Sequence, residues 1–178
     1  GPYELRAKDV ALDALVVMHR APEELPGLDV EVEGVYPRLV TSGFYERRQK
    51  GFGYFLDRDQ IERRGQVRMS DLLDPIPNVF SGQRADIGAG GVVNPAVWVG
   101  RGGRRCTPAL WIDGLLIRNG GLFVDPLRPD DFVWPADAEG IELYVGPAQV
   151  PPEFSRSAGC GVLVVWTRSP GARGGGAP

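Results

Sequence analysis

Glycine and proline set the limits on how this chain can fold. Its 178 residues include 25 glycines and 16 prolines, and residues that interrupt helices and favour turns at that density leave room for short elements only. A helical bundle is excluded on that ground. The length suits one well-buried domain with a flexible tail at each end, and 43% apolar with 24% charged residues is an ordinary globular balance. The expected class is α+β, a small mixed β-sheet with short helices and long Gly-rich loops.

Residues 1–34 read as a flexible arm. Within it Leu15-Val16-Val17-Met18 is a β-prone string suited to pairing with a strand of its own chain or of a partner, with tail disorder as the alternative. The globular domain is expected over 35–168. Asp57, three residues before Gln60 and just ahead of Ile61, opens a short helix with a capping box, and Gly65 ends it. Ser70 reads as the cap of a second helix that carries Leu72, Leu73 and Ile76 and stops at Pro77. Six glycines between positions 88 and 103 make 81–105 read as a long loop around one short strand, Val97 to Val99.

Farther on, Ala109 to Ile112 and Leu115 to Ile117 flank the turn pair Asp113-Gly114, which predicts a hairpin. Pro129-Asp130-Asp131-Phe132 begins a short helical turn limited by Pro135. Ile141 to Val145 reads as a strand closed by Gly146-Pro147. Val162 to Trp166 is apolar on both alternating faces, so it is expected at the centre of the sheet. The end of the chain, 169–178, reads as a disordered Gly-rich tail.

Catalytic chemistry finds little support. The net charge is -3 and the pI about 5.2, which speaks against nucleic acid as a partner. The basic runs Arg47-Arg48-Gln49-Lys50 and Arg101-Gly102-Gly103-Arg104-Arg105 read as solvated faces or loop charges. The single histidine, His19, falls in the arm, away from any serine, cysteine or aspartate it would have to serve. Glycine clusters at 88–91 and 100–103 complete no phosphate-binding pattern. Asp125, Asp130 and Asp131 fit either helix capping or a calcium ion, and capping asks for less. Glu139 and Glu142 offer no paired acid and base. No catalytic residue, metal ligand or cofactor site is therefore expected. No apolar run reaches the roughly 18 residues of a membrane helix. No signal peptide is visible, although Gly1-Pro2 resembles a protease-cleavage scar. Cys106 and Cys160 stand 54 positions apart. A disulfide closing that loop would contribute about 4 kcal/mol in an oxidising compartment, and two separate buried thiols are the other reading.

Several segments, taken in order over 52–168, resemble the plug domain of TonB-dependent outer-membrane receptors. Phe55-Leu56-Asp57-Arg58-Asp59-Gln60-Ile61-Glu62 is similar to the opening strand and helix start of that family. Ser70-Asp71-Leu72-Leu73 with Ile76-Pro77-Asn78-Val79 resembles its Asp-x-Leu and Pro-Gly-Val stretch. Asn78 replaces the glycine there, and asparagine tolerates the left-handed backbone. Gly100-Arg101-Gly102 resembles the Arg-Gly element, and Leu110-Trp111-Ile112-Asp113-Gly114 the hairpin. Ile141-Glu142-Leu143-Tyr144-Val145-Gly146-Pro147-Ala148 is the most specific match. Gly159-Cys160-Gly161 followed by Val162 to Thr167 is similar to the closing strand, and the family's Tyr-Gly is replaced around Phe154-Ser155. In the arm, Val10 to Val17 resembles the TonB box, and Tyr3 to Lys8 the last strand of an upstream carboxypeptidase-regulatory-like domain.

What the resemblance implies is a plug-domain-like fold without enzymatic activity, occluding an outer-membrane barrel and taking part in ligand uptake from the periplasmic side. Its expected partner is a TonB-like energy-coupling protein that receives Asp13, Ala14, Leu15, Val16, Val17 and Met18 as an added strand. Arg101, Asp113, Gly114, Ile141, Glu142, Gly146 and Pro147 are the family-motif residues, with Arg101, Glu142 and Arg168 as candidate ion-pair partners for a barrel wall. The Gly-rich ending after Arg168 reads more as a natural terminus than as a linker into a barrel. The alternative is therefore a barrel-less periplasmic or envelope module for protein interaction or signalling on the same fold.

Overall fold

The structure is a computed structural model and describes residues 34–82, 94–156 and 158–168, apart from the Arg101 side chain. The proposed arm strand Asp13 to Met18, the segment Tyr3 to Lys8, His19 and the tail 169–178 lie outside the described residues.

Two short helices come first, α1 (Pro37–Thr41) and α2 (Phe44–Gln49), followed by β1 (Tyr54–Asp57), α3 (Arg58–Arg64) and α4 (Met69–Leu73). Then come β2 (Val79–Gly82), β3 (Ala96–Arg101), β4 (Arg104–Cys106), β5 (Ala109–Ile112), β6 (Leu115–Arg118), β7 (Ala138–Tyr144) and β8 (Val162–Thr167). The larger sheet has the order β1-β7-β8-β5-β6, and the smaller is β2-β3-β4. All neighbours are antiparallel except β5 and β8, which run parallel. The class is α+β, as composition and punctuation imply.

β8 occupies the centre of the larger sheet, and its side chains feed two cores. Leu163 and Val165 join Leu56, Ile61, Leu72, Leu73, Ile141 and Leu143 on the face carrying α3 and α4. Val162, Val164 and Trp166 join Leu39, Phe44, Trp111, Tyr144 and Phe154 on the face carrying α1 and α2. A strand covered on both sides must be apolar at every position, and five of the six residues of β8 are. Burying these side chains is worth roughly 1.5–3 kcal/mol each, so this strand anchors the domain.

Local signals position several elements as read. Asp57 accepts from the Gln60 N–H at 2.9 Å while Gln60 accepts from the Asp57 N–H at 3.1 Å, a complete capping box. Gly65 ends α3 in the left-handed region, and Asn78 adopts φ 62°. Asp113 and Gly114 have φ of 52° and 79°, the paired positive values of a tight hairpin turn.

Elsewhere the structure corrects the sequence. Residues 37–49, read only as the start of the globular part, form two helices of five and six residues, too short to show a helical period. The strand expected at Val97 to Val99 is present and longer, as β3, while the loop expected around it within 81–105 also supplies the end of β2 and, after the Gly102-Gly103 turn, the start of β4; residues 83–93 lie outside the described residues. β7 starts three residues before Ile141. Ser70 does not cap α4. The Asp130 carboxylate, 61 positions from Met69, accepts the Met69 N–H and, at 3.2 Å, that of Ser70.

Cys106 and Cys160 form a disulfide between the end of β4 and the approach to β8. It ties the small sheet to the large one. No helix among the described residues is long and apolar enough to cross a membrane.

Candidate functional site

Every residue of β7 is buried, yet its middle carries Glu142, whose side chain has no exposure. Strand alternation sends Ile141 and Leu143 into one core and Glu142 to the opposite face, beside Tyr144. A carboxylate removed from water must be paired and hydrogen-bonded. Four bonds converge on this one. Arg47 donates through Nε to Oε2 at 2.8 Å and through Nη2 to Oε1 at 2.6 Å. The Tyr144 hydroxyl donates to Oε2 at 2.5 Å and Trp166 Nε1 to Oε1 at 2.6 Å.

Arg47 comes from α2, where it follows Phe44 by one turn on the same buried face. Its remaining Nη1 donates to the Ser42 carbonyl at 2.8 Å and to Glu153 Oε1 at 3.2 Å. The guanidinium lies over the rings of Phe154 and Trp166, 5.2 and 5.8 Å from their centroids. α2 approaches the sheet this closely because residue 140 is glycine: a Cβ there would meet Leu39 Cδ2 at 2.6 Å and Phe44 Cε2 at 3.3 Å. Edge-to-face contacts from Phe44 to Phe55 and from Phe55 to Tyr144 close the other flank.

Burial lowers the affinity of Arg47 for its proton, but the hydrogen bonds and charge of Glu142 outweigh it, and the net shift is upward. Burial pushes the Tyr144 hydroxyl well above its ordinary value, and the Glu142 carboxylate pushes it further. Arg47 therefore stays a guanidinium and Tyr144 a neutral phenol across ordinary pH. Both carboxylate oxygens are saturated, which leaves Glu142 no lone pair with which to act as a base. This is a clamp holding α2 against the sheet. A cleft of about 220 Å³ opens beside it, lined by Arg47, Lys50, Phe52, Tyr144, Gln149 and Glu153.

A second polar tie lies at the Asp113 turn. Its carboxylate accepts from the Thr167 N–H at 2.8 Å and the Thr167 hydroxyl at 2.6 Å, and it pairs with Arg38 of α1 at 2.9 Å. Two of the motif acids, Asp113 and Glu142, thus hold the helical segment 37–49 through one arginine on each helix. The other motif residues serve the backbone and core. Ile141 is core, Gly114 completes the turn, Gly146 adopts φ 107°, and Pro147 begins a 3-10 turn over Pro147–Gln149. Arg101 ends β3 in the other sheet. Asp13 to Met18 fall outside the described residues.

The ion-pair role expected for Glu142 is corrected: it is wholly occupied inside the domain and not available to a barrel wall. The basic run at 47–50 is corrected too, since Arg47 is buried and Arg48 pairs with Asp57 at 2.8 Å. Arg47 was missed by sequence reasoning. The signal that finds it is Glu142 itself, a charge set between the apolar Ile141 and Leu143 of a fully buried strand, which demands a buried cation. Asp130 caps α4 and Asp131 accepts from Asn94 at 2.8 Å, and no group of three or more metal-ligating side chains occurs among the described residues. Compared with known proteins, the sequence matches no family model and no curated protein.

Proposed function

We propose that this chain is a non-enzymatic plug-type domain of a TonB-dependent outer-membrane receptor, occluding a barrel from the periplasmic side and taking part in ligand uptake. The observation that carries the reading is the order of the motifs from Asp57 to Thr167, each falling on its own element: the capping-box helix, the turn at Asn78, the Asp113-Gly114 hairpin, the Glu142 strand and the closing β8. The saturated Glu142 carboxylate supports a mechanical role over a catalytic one. In the chain the arm leads through Gly34 and Tyr36, both bonded to Asp59, into α1 and α2, so a pull on it loads those bonds and then the Arg38–Asp113 and Arg47–Glu142 pairs.

The test is binding of a TonB C-terminal domain to the full chain. Deleting residues 10–18 is expected to abolish that binding, and undiminished binding after the deletion overturns the proposal.

One observation favours a second reading, a barrel-less periplasmic or envelope module for protein interaction or signalling. β6 is an edge strand with Leu115 and Ile117 exposed, and Phe123 beyond it is 96% exposed. A barrel interior is polar, and an apolar edge suits a protein partner better. Osmotic shock of native cells separates the two. Release of the protein with the periplasmic fraction supports the module, and retention with outer-membrane barrels supports the plug.

A further inference from the structure

The smaller sheet has one buried and one open face. Val79, Val97, Val99 and Cys106 point into the first core, so by alternation Phe80, Trp98 and Arg105 point the other way. Strand register sets Phe80 directly opposite Trp98 and Gly100 directly opposite Arg105. The Arg105 guanidinium carbon consequently lies over both rings, 5.6 Å from the Phe80 centroid and 5.3 Å from that of Trp98. Gly100 makes the arrangement possible, because a Cβ there would meet Phe80 Cε2 at 3.2 Å. The hairpin end beside it forms a concavity of about 500 Å³ that includes Asn78, Phe80, Gly100, Arg104 and Arg105, within the 300–1,000 Å³ range of small-molecule sites.

Charge decides what suits it. Among the described residues, Arg104 and Arg105 have neither a carboxylate within ion-pair distance nor a side-chain hydrogen bond. Both are exposed. An otherwise acidic chain of net charge -3 thus presents two unneutralised guanidinium groups beside an aromatic pair. A long polyanion would meet the repulsion of the whole molecule, whereas a small anion feels mainly the local field, since charges beyond about 8 Å are screened at physiological salt.

We propose that this face is a binding site for a small planar anion, an aromatic ring carrying a carboxylate or phosphate. The ring continues the stack built by Phe80, Trp98 and Arg105, and the anionic group is held by the unpaired N–H donors of Arg104 and Arg105. Binding here requires neither a barrel nor TonB.

The test titrates the full chain with 2-naphthoate and 1-naphthyl phosphate, following the Trp98 indole N–H by NMR, with neutral 2-naphthalenemethanol and acetate as controls. Both aromatic anions are expected to saturate the site at millimolar concentration or below, and the stronger of the two identifies the anionic group. Each control should bind about tenfold more weakly or worse, a difference of about 1.4 kcal/mol. Arg104→Gln and Arg105→Gln should each weaken the anions at least as much while leaving the thermal midpoint near that of the parent. Should Arg105→Gln disturb the fold, Arg104→Gln, which removes no ring contact, decides alone. Equal binding of the neutral alcohol or of acetate, undiminished binding to Arg104→Gln, or no saturation overturns the proposal.

Discussion

At the scale of single residues, Glu142 is stable in the interior only while its donors are present. Removing Arg47 leaves an unpaired carboxylate in an apolar core, which costs more than the pair contributes. Arg47→Ala is expected to lower stability by about 3–5 kcal/mol, read as a drop in the urea midpoint. The double change Arg47→Met with Glu142→Leu should recover most of that loss, because no charge is then left stranded. Tyr144 adds a pH dependence whose sign follows from its shift. Its pKa is raised above an ordinary 10.0, so the folded state holds the phenolic proton more tightly than the unfolded state. That contribution is complete below pH 10 and is lost as the pH rises beyond it. Urea midpoints followed from about pH 8 to about pH 11 should hold level and then fall. Tyr144→Phe should flatten the fall. Tyr36, raised in the same direction by burial and by its bond to Asp59, leaves a residual slope.

At the scale of elements, α4 shows how a helix end can depend on a distant segment. The Ser70 hydroxyl is buried with no partner among the described residues, while Asp130 supplies both cap bonds from the far side of β3 to β6 in sequence. Asp130→Ala should therefore destabilise the chain by about 0.5–2 kcal/mol, the range measured for lost helix caps. Ser70→Ala should be neutral or slightly stabilising. Chemical denaturation of the two variants checks the assignment, and the reverse order would return the cap to Ser70. The capping box of α3 was legible because both partners lie within four residues. The cap of α4 was not, since local spacing carries no information about a carboxylate 61 positions away. The same reason explains the small sheet. Val97 to Val99 reads as a short strand, but glycines at 100, 102 and 103 read as loop signals, and pairing with β2 and β4 is what extends β3 through Gly100 and Arg101.

At the scale of the whole molecule, the disulfide joins the two sheets across 54 positions of chain. Replacing both cysteines by alanine is expected to cost about 4 kcal/mol in the chain-entropy account. Hydrogen exchange on that variant should show amides of 79–82 and 96–106 losing protection before those of β7 and β8, because the large sheet keeps both of its cores. Uniform loss across the two sheets would instead mean that they open as one unit.

Much of this architecture follows from the sequence by itself. Glycine and proline density excludes long helices, an apolar run at 162–166 specifies a central strand, and Asp-Gly at 113–114 specifies a hairpin, because each rests on backbone sterics or on short-range periodicity. The tertiary structure alone decided which side chains meet. Arg47 and Glu142 are 95 positions apart, and Phe80, Trp98 and Arg105 lie on three different strands. Helices of five or six residues have almost no intrinsic stability, so α1 and α2 exist through their packing on Gly140 and the buried carboxylate. Local sequence holds no record of such long-range contacts, although a glutamate set between the apolar Ile141 and Leu143 announces that a partner must exist.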